Sequence, residues 1–186
     1  MVSDVAAEKY GQTFDFLDVD HDGFLQEADF EAIAERLAVG AAASDAEVAR
    51  DAYVKFWNSL AYQLGVASDG RLSRQEYIEG CGEIVKSSPT GFDHAIAQMP
   101  RAILALYDHD RDGMLSAKEF LAMQSALGVS QEKARIALLA LDHDADGFVD
   151  GGELMQACRE FMLSDDPHAP GNWLLGGLQP KPFRPF

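Results

Sequence analysis

The chain has 186 residues, 15 of them basic and 31 acidic, and its net charge of −16 leaves no basic patch for nucleic acid or an anionic membrane surface. No stretch reaches the roughly 18 uninterrupted apolar residues of a membrane span, and Met1-Val2-Ser3-Asp4 has no basic start leading into an apolar run. These features predict a soluble cytoplasmic chain of one or two domains, and Cys81 and Cys158, lacking a Cys-x-x-Cys spacing, read as buried free thiols.

Ser3 is placed to cap a first helix, whose Tyr10, Phe14 and Leu17 recur along one face. A twelve-residue acidic loop follows. Asp18, Asp20, Asp22 and Asp29 hold its positions 1, 3, 5 and 12, with Gly23 at 6 and Phe24 at 7. Short carboxylates two residues apart converge on one point, Phe24 offers its backbone carbonyl, and Gly23 allows a reversal that a Cβ would penalise. This is the EF-hand spacing, suited to calcium, a hard cation that takes six to eight oxygens at roughly 2.3–2.6 Å. Asp29 stands where the pattern has the longer Glu, so this site is expected to discriminate least against magnesium.

The exiting helix carries Phe30, Ile33 and Leu37 on one stripe and stops near Gly40. Ser44 and Glu47 predict a capping box for a long third helix, with Val48, Phe56, Trp57, Leu60 and Leu64 facing a core. Residues 65–76 then repeat the twelve-residue frame in degenerate form. Gly70 and Glu76 keep positions 6 and 12, but Gly65 and Ala67 replace two acids, leaving Asp69, Ser73 and Glu76 as side-chain oxygens. A folded hand that holds no calcium is expected. Ser73 and Glu76 cap the next helix, with Tyr77, Cys81 and Ile84 inward.

Residues 86–91 are the predicted linker between two halves, followed by a helix from about Phe92 that Pro100 should kink or restart. Ile103, Leu104 and Tyr107 lead into a third loop with Asp108, Asp110, Asp112, the Met114 carbonyl and Glu119 as ligands, and Ser116 at the ninth position. Phe120, Met123 and Leu127 lead away, Gly128 ends that helix, and Ser130 caps the next. The fourth loop has the fullest pattern: Asp142, Asp144, Asp146, the Phe148 carbonyl and Glu153, with Asp150 as a further carboxylate. At position 8, Leu25, Leu72, Leu115 and Val149 are all apolar, as a short β-bridge between paired loops requires. His21, His109 and His143 fall at positions that point away from the ion.

Gly151 and Gly152 open the last long helix at a propensity cost of roughly 1 kcal/mol each, and Leu154, Cys158 and Phe161 face inward. From Asp166 onward the chain holds five of its seven prolines, yet also Trp173, Leu174, Leu175, Leu178, Phe183 and Phe186. A disordered tail is usually poor in such residues. Residues 167–178 are therefore expected to fold back as a plug, and residues 179–186 to fray.

The predicted fold class is all-α: four EF-hands in two pairs, with short β-bridges between paired loops and a C-terminal plug. Residues 1–86 form the first pair, 92–163 the second and 164–186 the tail. Three calcium ions are expected, with the first site open to magnesium. The silent second hand, Phe56-Trp57 before it, and the ending Asp166-Pro167-His168-Ala169-Pro170-Gly171-Asn172-Trp173-Leu174-Leu175-Gly176 resemble the sarcoplasmic calcium-binding protein family and its calerythrin-like members. That resemblance implies an intracellular calcium protein with a buffering or signalling role, of which buffering is the leading expectation, and the chain is expected to be a monomer. The layout is also similar to calcium-regulated photoproteins and coelenterazine-binding proteins, which implies an alternative: a carrier enclosing an apolar ligand, with Trp57, His168 and Trp173 lining the cavity. A sensor that binds a partner protein is the remaining alternative. No Gly-x-Ser-x-Gly or His-Glu-x-x-His element suggests an enzyme.

Overall fold

Ser3 accepts the Ala6 amide at 3.1 Å and starts helix α1 (Asp4–Leu17) in the computed structural model, which describes residues 2–66, 70–87 and 98–178. Strand β1 (Phe24–Leu25) leads into α2 (Glu27–Leu37), and α3 (Ala43–Leu64) is the longest helix. Strand β2 (Leu72–Ser73) and α4 (Arg74–Ser87) complete the first half. The second half repeats the order with α5 (Gln98–Tyr107), β3 (Met114–Ser116), α6 (Ala117–Ala126), α7 (Gln131–Leu141), β4 (Phe148–Asp150) and α8 (Gly151–Leu163). A 3₁₀ segment, Pro170–Leu175, follows.

The loops pair as the apolar eighth positions predict. β1 and β2 are antiparallel with Leu25 opposite Leu72, and β3 and β4 place Leu115 opposite Val149. All four side chains are buried. Each bridge ties an entering and an exiting helix to those of the neighbouring hand, so the loops hold their relative positions.

Two sequence expectations need correction. Ser44 is not a cap: α3 begins two residues earlier than that cap would place it, with Ala42 as N-cap, and the Ser44 hydroxyl bonds Asp45 instead. Ala42 already has the extended backbone that a cap needs, so the turn after Gly40 sets the start. Val48 is 40% exposed, because the inward stripe of α3 runs through Ala49, Ala52, Tyr53, Phe56, Trp57 and Leu60. Trp57 itself is fully buried beside Phe30, with ring centroids 5.2 Å apart. Pro100 sits in the first turn of α5, where its missing N–H removes no helical bond. Residues 88–91 of the expected linker, the expected start at Phe92 and the tail beyond residue 178 lie outside the described residues.

The core runs without a break through both halves. Phe14 meets Tyr77 edge-on at 5.8 Å, and the Tyr107 hydroxyl donates to the Leu37 carbonyl at 3.0 Å, joining the second half to the end of α2. Helix α1 also packs on α8, where the Tyr10 hydroxyl donates to the Met162 carbonyl at 2.9 Å. Cys81 and Cys158 are free and buried, and burial pushes both thiols up to about 12.

The tail packs as a plug. Its 3₁₀ segment lies against α7 and α8, with Trp173, Leu174 and Leu175 partly buried on the core. Gly171 allows this contact, since a Cβ there would stand 2.6 Å from the Ala157 carbonyl oxygen. Lys9 anchors the same corner from inside. Its ammonium donates to the carbonyls of Glu160 and Ser164 at the end of α8 and to Oδ1 of Asn172. The C-terminal carbonyls of a helix carry partial negative charge, so a buried cation is well placed there.

Candidate metal centre

Loops one, three and four share one internal wiring. The first carboxylate accepts the glycine amide at position 6: Asp18 from Gly23 at 3.1 Å, Asp108 from Gly113 at 2.9 Å and Asp142 from Gly147 at 3.0 Å. The third carboxylate accepts the amide at position 5, and the fifth accepts the amide at position 7, which belongs to Phe24, Met114 or Phe148. These short turns fold the chain over its own acids. His21, Arg111 and Ala145 at position 4 all adopt positive φ, and Gly23, Gly113 and Gly147 at position 6 do the same at 84°, 89° and 89°.

Carboxylate oxygens from Asp18, Asp20 and Asp22 lie within 4.8 Å of one another, as do those of Asp108, Asp110 and Glu119, and those of Asp142, Asp144 and Glu153. Asp29, Asp112 and Asp146 stand outside these three groups. Gathering acids in this way is costly without a cation, because like charges repel and partial burial weakens their hydration. Oδ1 of Asp18 and Oδ1 of Asp108 are enclosed and accept no hydrogen bond, while the other oxygen of each is tied to the loop glycine. An enclosed carboxylate oxygen without a donor suits a hard, oxygen-seeking ion, so these residues fit calcium.

Position 12 separates the first loop from the others. Glu119 and Glu153 each use one oxygen for the amide at position 9 and the other for the amide at position 2, at 2.9 Å to His109 and 2.7 Å to His143. Asp29 accepts the Gln26 amide at 3.0 Å and is itself buried. Burial raises the Asp29 carboxyl, the nearby charges of Asp20 and Asp18 raise it further, and bonds to the Gln26 and Val19 amides only partly oppose this. For Glu119, burial pushes up, but hydrogen bonds from the Ser116 hydroxyl and the His109 and Ser116 amides outweigh it and hold the carboxyl low.

Position 9 has a structural duty. Ser116 and Asp150 each cap the exiting helix, with Asp150 Oδ1 accepting the Glu153 amide at 2.8 Å. His109 and His143 turn back toward the carbonyls of Tyr107 and Leu141, at 2.7 and 2.8 Å.

In the degenerate loop, Glu76 closes a capping box on Ser73, whose hydroxyl and amide together lower its carboxyl. Arg71 and Arg74, which sequence reasoning passed over, reach from this loop to Asp22 and Asp15. Lys9 was missed too. Its spacing with Ala6, Tyr10 and Phe14 places it on the inward face, a signal available in the sequence.

An apolar cavity of about 100 Å³, partly open to the surface, lies between the halves, lined by residues that include Phe16, Tyr53, Phe56, Ile103, Phe161 and Leu174. It corrects the expected lining. Trp57 and Trp173 do not reach it, and His168 is exposed, because the tail turns its polar edge outward and inserts leucines.

The EF hand family matches at residues 11–34 and 101–124. Calerythrin of Saccharopolyspora erythraea is 29% identical over 166 residues, covering 87% of this chain and 94% of its own. The luciferin-binding protein of Renilla reniformis is 29% identical over 170 residues, covering 87% and 88%. Among solved structures, a Streptomyces coelicolor calcium-binding protein, linked to prokaryotic calcium-mediated regulation, superposes with a TM-score of 0.74 at 25% identity, covering 85% of this chain and 98% of that one. Among the described residues no helix is long and apolar enough to cross a membrane.

Proposed function

The chain belongs to the calerythrin-like EF-hand family and binds calcium, and from that premise we propose that it is a monomeric, non-catalytic cytoplasmic calcium buffer with three sites. Asp18, Asp20, Asp22, Asp29 and the Phe24 carbonyl would hold the first ion. Asp108, Asp110, Asp112, Glu119 and the Met114 carbonyl would hold the second, and Asp142, Asp144, Asp146, Glu153 and the Phe148 carbonyl the third. The degenerate loop would hold none.

The observation that carries buffering over sensing is the tail. A sensor hand opens an apolar groove for its partner, whereas Trp173, Leu174 and Leu175 of this chain already cover α7 and α8. Calorimetric titration tests the proposal. Three equivalents of calcium are expected, with little rise in apolar-dye binding and a melting temperature that falls when chelator removes the metal. Four equivalents, or a large calcium-dependent rise in dye binding, would count against it.

The luciferin-binding relative favours a second reading, in which the apolar cavity takes a ligand. At about 100 Å³ that cavity is well below the roughly 300–1,000 Å³ of ordinary ligand pockets. A calcium-sensitive thermal shift on adding coelenterazine would support the second reading; no shift leaves buffering in place.

A further inference from the structure

The silent second loop has lost its acids but it still acts on the first. Arg71, at its seventh position, crosses the β1–β2 bridge and pairs its guanidinium with Oδ2 of Asp22. The same guanidinium lies over the Phe24 ring, 4.6 Å from its centroid, a stacking that fixes its direction. Asp22 Oδ1 meanwhile accepts the Phe24 amide at 2.9 Å, so both oxygens of this ligand are engaged. Arg74 repeats the gesture three residues later. It pairs with Asp15 at 3.0 Å and passes so close over α1 that a Cβ on Gly11 would lie 2.4 Å from its Nη2. The second pair of hands has no such feature: among the described residues no ion pair reaches Asp112 or Asp146, and the seventh positions there are Met114 and Phe148.

We propose that Arg71 is a positioning residue that sets the calcium affinity of the first loop, its guanidinium competing with the ion for Asp22. This deepens the three-site reading and rests on it. A divalent ion entering among Asp18, Asp20 and Asp22 meets a fixed positive charge on one of its ligands. It must displace Arg71 or share the carboxylate with it, and either outcome weakens binding. The planar fork of arginine, held by Phe24, keeps the competitor in place where a lysine would wander. The first loop thus becomes the weakest of the three, filling only after loops three and four.

The test is a calcium titration of the full chain, followed through the Gly23, Gly113 and Gly147 amides, in wild type, Arg71→Gln and Arg71→Lys at two ionic strengths. Arg71→Gln should tighten the first site by roughly fivefold, the upper range for an exposed ion pair, and leave the others unchanged. Its affinity should also fall more steeply with salt than that of the wild type, because the loop then binds calcium with its full negative charge. Arg71→Lys should tighten it less than Arg71→Gln, because the charge remains although its placement is looser. Three equivalents with Arg71→Gln unchanged or weaker would overturn the proposal alone, as would equal tightening by Gln and Lys, which would mean that packing on Phe24 rather than charge matters. Two equivalents in wild type, with the Gly23 amide unmoved, would instead overturn the three-site reading and this proposal with it.

Discussion

The Glu153 carboxylate reaches back ten residues to accept the His143 amide at 2.7 Å, so the end of the fourth loop is locked to its beginning. Glu119 does the same for His109. Asp29, one methylene shorter, stands outside the group formed by Asp18, Asp20 and Asp22. A ligand that reaches the ion through one oxygen leaves a shell of about six, nearer to the octahedron that magnesium demands at roughly 2.0–2.1 Å. Asp29→Glu should therefore raise calcium-over-magnesium selectivity at the first site and leave the other two unchanged. Site-resolved titration in millimolar magnesium checks this; unchanged competition at the first site would contradict it.

The same two residues set an order of release on acidification. A proton and a cation compete for one carboxylate. Burial raises the Asp29 carboxyl, so it takes its proton at a higher pH than an ordinary carboxylate, whereas the bonds to Glu119 let it keep its charge to lower pH. Calcium should leave the first loop before the third as the pH falls from neutrality toward the ordinary carboxylate range. The Gly23 and Gly113 amide resonances, each donating to the first acid of its loop, report the order. Simultaneous release, or loop three emptying first, would contradict it.

Removing the tail should unmask what it covers. Trp173, Leu174 and Leu175 are partly buried against the core. Complete burial of such a side chain contributes roughly 1.5–3 kcal/mol, so truncation after Ser164 should cost on the order of 3 kcal/mol in all and raise apolar-dye binding. Urea denaturation and dye fluorescence measure both. If neither changed, the packing of the tail would contribute nothing to stability.

Lys9 gives a second dependence on pH, of opposite kind. Burial lowers its ammonium to about 8, against the pull of Asp165, Glu160 and Asp166. An unfolded lysine titrates near about 10.4. Between those values the unfolded chain holds a proton that the folded one has released, so this residue's contribution to stability rises with pH. Compared with Lys9→Met, the calcium-saturated wild type should gain relative stability between about pH 8 and about pH 10. A flat difference across that range would mean that Lys9 stays charged in its pocket.

Much of this protein is legible in its sequence because the information is local. Twelve consecutive residues carry each loop, and the glycine at position 6 and the caps at Ser3 and Ser130 depend only on near neighbours. The apolar eighth positions likewise announce the bridges Leu25 to Leu72 and Leu115 to Val149. Ser44 misled because a cap depends on where the preceding turn delivers the backbone, and Ala42 arrives first. What the tertiary structure alone decides is which distant groups meet. No spacing places Lys9 under Asn172, 163 residues away, or Arg71 on Asp22, 49 residues away, because the first meeting follows from how the tail and helices pack and the second from how two loops face each other across a bridge. The cavity between the halves belongs to the same class: its lining comes from helices far apart in the chain, and only their packing determines that it is small, apolar and closed to His168.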